Sequence, residues 1–93
     1  MKIWKIWQEK RTGRNIYVSA IVVADSEEQA KRTHPYEECY TYDENGNQYW
    51  KHNGGFVHDR GVWVNLDYVK AEYIGEAKEG LKPGVLLSSF KTG

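Results

Sequence analysis

The chain has 93 residues, enough for a single domain of limited core; 40% of them are apolar and 14% aromatic, including four Trp and seven Tyr. That aromatic content excludes a disordered chain, and a formal net charge of zero removes any general attraction to nucleic acid or an anionic membrane surface. The lone Cys39 excludes an internal disulfide and a cysteine-cluster metal site, and no run of about 20 apolar residues is present to cross a bilayer. The N-terminal alternation of apolar and charged residues is unlike the apolar core of a signal peptide, so a reducing cytoplasm is the expected setting.

In chain order, Lys2 to Glu9 is rich in Ile and Trp and short enough for a strand. Residues 10–15 form a polar, glycine-bearing break suited to a hairpin loop, after which IYVSAIVVA (Ile16 to Ala24) reads as a central strand covered on both faces. Ser26 stands three residues before Gln29, the capping-box spacing. Glu27 and Glu28 suit the start of a helix, Lys31 and Arg32 suit its end, and His34-Pro35 stops it after about two turns. Asn45-Gly46 predicts a type I′ turn between two short strands, and residues 36–62 read as a loop or hairpin insertion decorated with Tyr40, Tyr42, Tyr49 and Trp50. Val69 to Ile74 alternates as a half-buried strand, and Val85 to Phe90 is the last one. The order β-β-α-(hairpin)-β-β predicts a single α+β domain over residues 1–93, with an antiparallel sheet of about four strands and one short helix on a face.

Charge is unevenly spread. Lys2, Lys5, Lys10, Arg11 and Arg14 face only Glu9 near the N-terminus, whereas the stretch from Asp25 to Glu44 holds seven acids against Lys31 and Arg32. These read either as solvated patches or as a basic loop able to meet a phosphate.

Catalytic signatures are weak. His34, His52 and His58 with Cys39 match no zinc spacing. Ser88, Ser89 and Cys39 lack a surrounding nucleophile motif, and Gly54-Gly55 has no following Lys-Ser/Thr. The expectation is therefore a binder with no catalytic set, no cofactor and no metal. Planar ligands stack on aromatic rings, and two features supply them. Trp4 and Trp7 flank the Arg11/Arg14 loop, with Tyr17 and Ser19 on the paired strand and, by period-two alternation, on one face. Trp4 and Trp7 themselves point to opposite faces, so one of them fills the core. His34-Pro35 either sets an imidazole beside a pocket or simply ends the helix with an exposed ring. The tail Ser88-Ser89-Phe90-Lys91 offers hydroxyls, a ring and a charge, or is a frayed end.

Three stretches, MKIWKIWQ, YVSAIVVADSEEQAKRTHP and VKAEYIGEAKEGLKPGVLLSSFKTG, cover about three quarters of the chain. They resemble a group of small phage proteins similar to the fourth class of anti-CBASS cyclic-nucleotide sponges. That pattern has Tyr-x-Ser before an apolar strand, an acidic helix ending in His-Pro, an IGEA segment, a Gly-Val strand and an Ala-Ser-Phe-Asn-Ala-Gly tail. The resemblance implies a phage origin, the cytoplasm of an infected bacterial host, a homo-oligomer, and a cyclic dinucleotide or related nucleotide signal as ligand. It carries Tyr17, Ser19, His34, Pro35, Ser89 and Phe90 onto the pattern. Lys91 and Thr92 replace Asn-Ala, and Ser88-Ser89 replaces Ala-Ser, departures that bear on which base or ring size is accepted. With the residue reading, the expected ligand contacts are Trp7, Arg11, Arg14, Tyr17, Ser19, His34, Pro35, Ser89, Phe90 and Lys91. The alternative is an anti-CRISPR-like inhibitor that covers a host protein surface, for which abundant Tyr and Trp suit an interface equally well.

Overall fold

The structure is a computed structural model that describes residues 1–11, 13, 15–50 and 62–91. Arg14, His52, His58, the turns expected at 53–55 and 59–61, and Thr92 lie outside the described residues.

Strand β1 (Lys2–Trp7) pairs antiparallel with β2 (Ile16–Ala24), and each finds a second antiparallel neighbour late in the chain. β5 (Lys70–Glu76) lies on the far side of β1, and β6 (Gly84–Lys91) on the far side of β2, giving the order β5-β1-β2-β6. Between them come helix α1 (Glu27–Lys31), a separate two-stranded sheet of β3 (Tyr40–Tyr42) and β4 (Gln48–Trp50), and a single 3-10 turn at Leu66–Tyr68. This is the small α+β sheet that the hydrophobic pattern predicts.

One face of the sheet holds the core. Ile6 on β1 and Ala20, Val22 and Ala24 on β2 pack with Ala30 of α1 and with Trp63, Val64 and Val69 from the segment entering β5. Trp63 is fully buried and is the largest such side chain among the described residues. Trp4 packs at the margin of this cluster and donates its indole N–H to the Ala24 carbonyl at 3.1 Å. The opposite face presents Lys5, Trp7, Ser19 and Ile21, because register partners in an antiparallel pair share a face.

Four local expectations are corrected. β2 is covered on both faces only at its end, where Val22, Val23 and Ala24 are buried in succession; its first half alternates. The helix has five residues, little more than one turn. Ser26 caps it through the Gln29 N–H at 3.2 Å, but Thr33 then closes it, its N–H donating to the Ala30 carbonyl and its hydroxyl to Gln29. The β3–β4 turn is not type I′, which needs positive φ at both central residues. Only Gly46 has it (φ 79°), with the Gly46 N–H on the Asp43 carbonyl and the Asp43 N–H on Asn47, a type I turn followed by a left-handed glycine. Asp43 Oδ1 takes the N–H groups of Asn45 and Asn47, so the aspartate fixes the turn.

The fourth correction concerns Tyr17 and Ser19. The β2–β6 register shifts between them, Tyr17 facing Phe90 and Ser19 facing Ser89, so Val18 is an extra residue. The bulge cancels the alternation. Tyr17 packs against the core, while Ser19 lies on the opposite face beside Trp7.

Candidate functional site

The corner after α1 is organised by His34, which is 1% exposed. The Tyr36 N–H donates to His34 Nδ1 at 2.9 Å, so that nitrogen carries no proton. Nε2 then holds the hydrogen and donates to Gln48 Oε1 at 2.8 Å. The ring stacks on Tyr40, with centroids 4.9 Å apart and planes at 13°. His34 thus ties the corner to β4 and beneath β3, and it fixes where Pro35 and Tyr36 emerge.

From that corner a row of rings leads outward. Tyr40 meets Tyr36 at 6.0 Å, Tyr36 meets Tyr17 at 6.1 Å, and Tyr17 meets Phe90 edge-on at 4.7 Å. Tyr36 and Phe90 remain 39% and 40% exposed, so the outer end of the row is open to solvent. Beside it lies a shallow recess lined by Tyr17, Pro35, Tyr36, Glu37, Glu38 and Val85. Glu37 accepts the Val85 N–H at 2.9 Å, stitching the corner to the start of β6. A Cβ on Gly84 would stand 2.7 Å from that carboxylate, and φ is 139° there, so both space and backbone require glycine.

The hydroxyls of this row stay protonated beyond the ordinary tyrosine range. Tyr17 is raised by burial and then by the charges of Cys39 and Glu38, Tyr36 by its hydrogen bond to Cys39, and Tyr40 by burial. At neutral pH the site therefore presents tyrosine O–H groups that can donate as well as accept.

The expected contact residues separate into distinct places. Tyr17, Pro35 and Phe90 come together at the ring row, while Lys91, next along β6, alternates to the face of Ser89. His34 lies beneath it as a support, both ring nitrogens occupied inside the core. Ser19 and Ser89 line a second recess with Ile21 and Leu87. Trp7 is on that opposite face as well, its indole N–H on Glu9 at 3.3 Å and Lys5 Nζ 5.8 Å from its ring centroid. Arg11 is turned to the Trp63 carbonyl at 3.4 Å, and its backbone is clasped by Gln8, which accepts the Arg11 N–H at 2.7 Å.

Tyr36, Glu37, Glu38, Tyr40 and Gln48 belong to the site although sequence reading did not single them out for it. One signal was available: Tyr36 and Tyr40 follow His34-Pro35 directly, in the run HPYEECY. Among the described residues, no three His, Cys, Asp or Glu side chains converge as a metal site, and no helix is long and apolar enough to cross a membrane.

The chain matches no family model, and no curated protein or solved structure shows significant similarity to it.

Proposed function

We propose that this chain binds a cyclic dinucleotide or related cyclic oligonucleotide signal of bacterial anti-phage defence and sequesters it, uncleaved, in the cytoplasm of the infected host. The observation that carries this reading is the open ring row, in which Tyr17 and Tyr36 border one recess and Phe90, from a third segment, meets Tyr17 edge-on. A nucleobase stacked on such a ring gains about 1–3 kcal/mol. Glu37 and Glu38 suit the N–H donors on a base edge better than they suit phosphate. A guanine-bearing ligand, with its ring-edge N–H groups, fits those acceptors.

Sequestration needs affinity without turnover. His34, the described histidine, is engaged on both nitrogens within the core and serves the fold, not proton transfer to a ligand. Isothermal titration against a panel of cyclic dinucleotides, with the ligand recovered and chromatographed afterwards, tests the reading. Saturable binding with the ligand intact is expected, weakened about fivefold or more in Tyr36→Ala, which removes an exposed platform worth at least ~1 kcal/mol. Silence across the panel overturns the proposal, and loss of ligand over time converts it to an enzyme. Co-purification of a host protein in the absence of nucleotide binding favours the protein-surface inhibitor instead.

A further inference from the structure

Rings and carboxylates share the recess beside the ring row. Tyr17 and Tyr36 form two of its walls, with centroids 6.1 Å apart and planes at 72°, and Pro35 and Val85 complete the apolar part. Glu37 and Glu38 supply the rest, and among the described residues no Lys or Arg lines it. Glu37 is held in place by the Val85 N–H at 2.9 Å, whereas Glu38 is exposed and its charge reaches the hydroxyls of both Tyr17 and Tyr36. The chain around the corner strengthens the same field, since the stretch from Asp25 to Glu44 holds seven acids against Lys31 and Arg32.

The face of an aromatic ring is the negative side of its quadrupole, so rings and carboxylates draw in the same kind of group, a cation able to lie against a ring. The two natural cationic side chains differ in how well they do this. A lysine ammonium is a compact, strongly hydrated point charge. An arginine guanidinium is planar and weakly hydrated, stacks on aromatic faces, and presents a fork of N–H donors that matches a carboxylate. Walls that are half apolar ring and half carboxylate suit the second.

We propose that this recess receives the guanidinium of an arginine side chain presented by a partner protein, its plane on the Tyr36 ring and its N–H fork toward Glu38. Tyr36 is 39% exposed and Glu38 is exposed, so both are reached from outside without opening the corner. The platform is also set in advance, because the Tyr36 N–H is tied to His34 Nδ1 and its ring rests between Tyr17 and Tyr40. A guanine edge bears a similar set of N–H donors without the charge. Arginine and nucleotide are therefore alternative occupants of one recess, and the arginine site does not rest on the nucleotide reading.

Amide NMR of the full chain, titrated with N-acetylarginine methylamide, tests it. This probe carries a peptide group on each side, as an arginine within a chain does. Saturable shifts are expected at Tyr36, Glu38 and Val85. The lysine analogue should bind more weakly, and the citrulline analogue, of the same shape without the charge, should leave those resonances in place. Tyr36→Ala is expected to weaken the arginine probe about two- to fivefold, and Tyr36→Phe, which keeps the ring, to leave it unchanged. Glu38→Gln, at an exposed side chain that the fold tolerates losing, should weaken it as well. The proposal is overturned by a probe that shifts nothing in the recess, or that binds no better than its lysine or citrulline counterpart. Binding untouched in both Tyr36→Ala and Glu38→Gln overturns it too, as does tighter binding of free arginine, which would make the amino acid the ligand. Cyclic dinucleotide titration is scored separately, so either proposal can fail while the other stands.

Discussion

Two buried polar side chains near β3 show how differently a polar atom can stand in the same core. His34 satisfies both ring nitrogens, through the Tyr36 N–H and Gln48, and it stacks on Tyr40. Tyr42 sits 5.7 Å from the same imidazole, yet its buried hydroxyl has only the neighbouring Trp63 indole N–H to turn to, in a contact too poorly formed to satisfy either group. A buried polar group without a partner costs roughly 1–3 kcal/mol, whereas the ring that carries it still packs. Tyr42→Phe is therefore expected to leave stability unchanged or raise it by up to about 1 kcal/mol. Urea denaturation measures this; a loss of about 1 kcal/mol or more would show that the hydroxyl has a partner in solution.

At the scale of elements, the start of β6 depends on one glycine. Alanine at Gly84 meets the Glu37 carboxylate and must adopt φ near 139°, a region L residues rarely enter. Gly84→Ala is expected to cost about 1–3 kcal/mol and to release Glu37 from the Val85 N–H, loosening the recess along with the strand. Chemical denaturation gives the first effect, and the Val85 amide resonance, shifted toward free exchange, gives the second.

The strands and their order were legible because each is a run of β-favouring residues bounded by polar breaks, and the Ser26 cap was legible because its spacing is local. What was not legible depends on contacts far apart in the chain. The bulge at Val18 appears only when β6 sets the register, and without it Tyr17 and Ser19 read as neighbours on one face. Trp63 fills the core although nothing local says that its segment lies against the start of β2, where the Tyr17 N–H donates to the Val62 carbonyl at 2.7 Å. At the site, the aromatic composition pointed to rings as the binding element. The row that forms is drawn from Tyr17, Tyr36 and Phe90, however, while Trp7 and Arg11 are turned elsewhere.

Taken whole, the molecule concentrates its tyrosines where ionisation is resisted. The raised hydroxyls of Tyr17, Tyr36, Tyr40 and Tyr42 form one connected patch around the His34 corner, and Tyr42 is the most deeply buried of them. In the unfolded chain each returns to its ordinary value of 10.0. The sign follows from which state holds the proton longer. Below pH 10 both states keep it and stability is unaffected. Above that the unfolded chain ionises while the folded one does not, so the native state is lost as pH rises. One fully protected tyrosine contributes a slope of about 1.4 kcal/mol per pH unit. Tyr42 approaches that figure, while the more exposed Tyr17 and Tyr40 add less because water screens them. Urea midpoints should therefore hold steady from neutrality to about pH 10 and fall beyond it. Tyr42→Phe should flatten the fall by close to one tyrosine's share. If the variant declines as steeply as the parent, the Tyr42 hydroxyl ionises in the folded protein, and the closed packing of β3 against Trp63 is wrong.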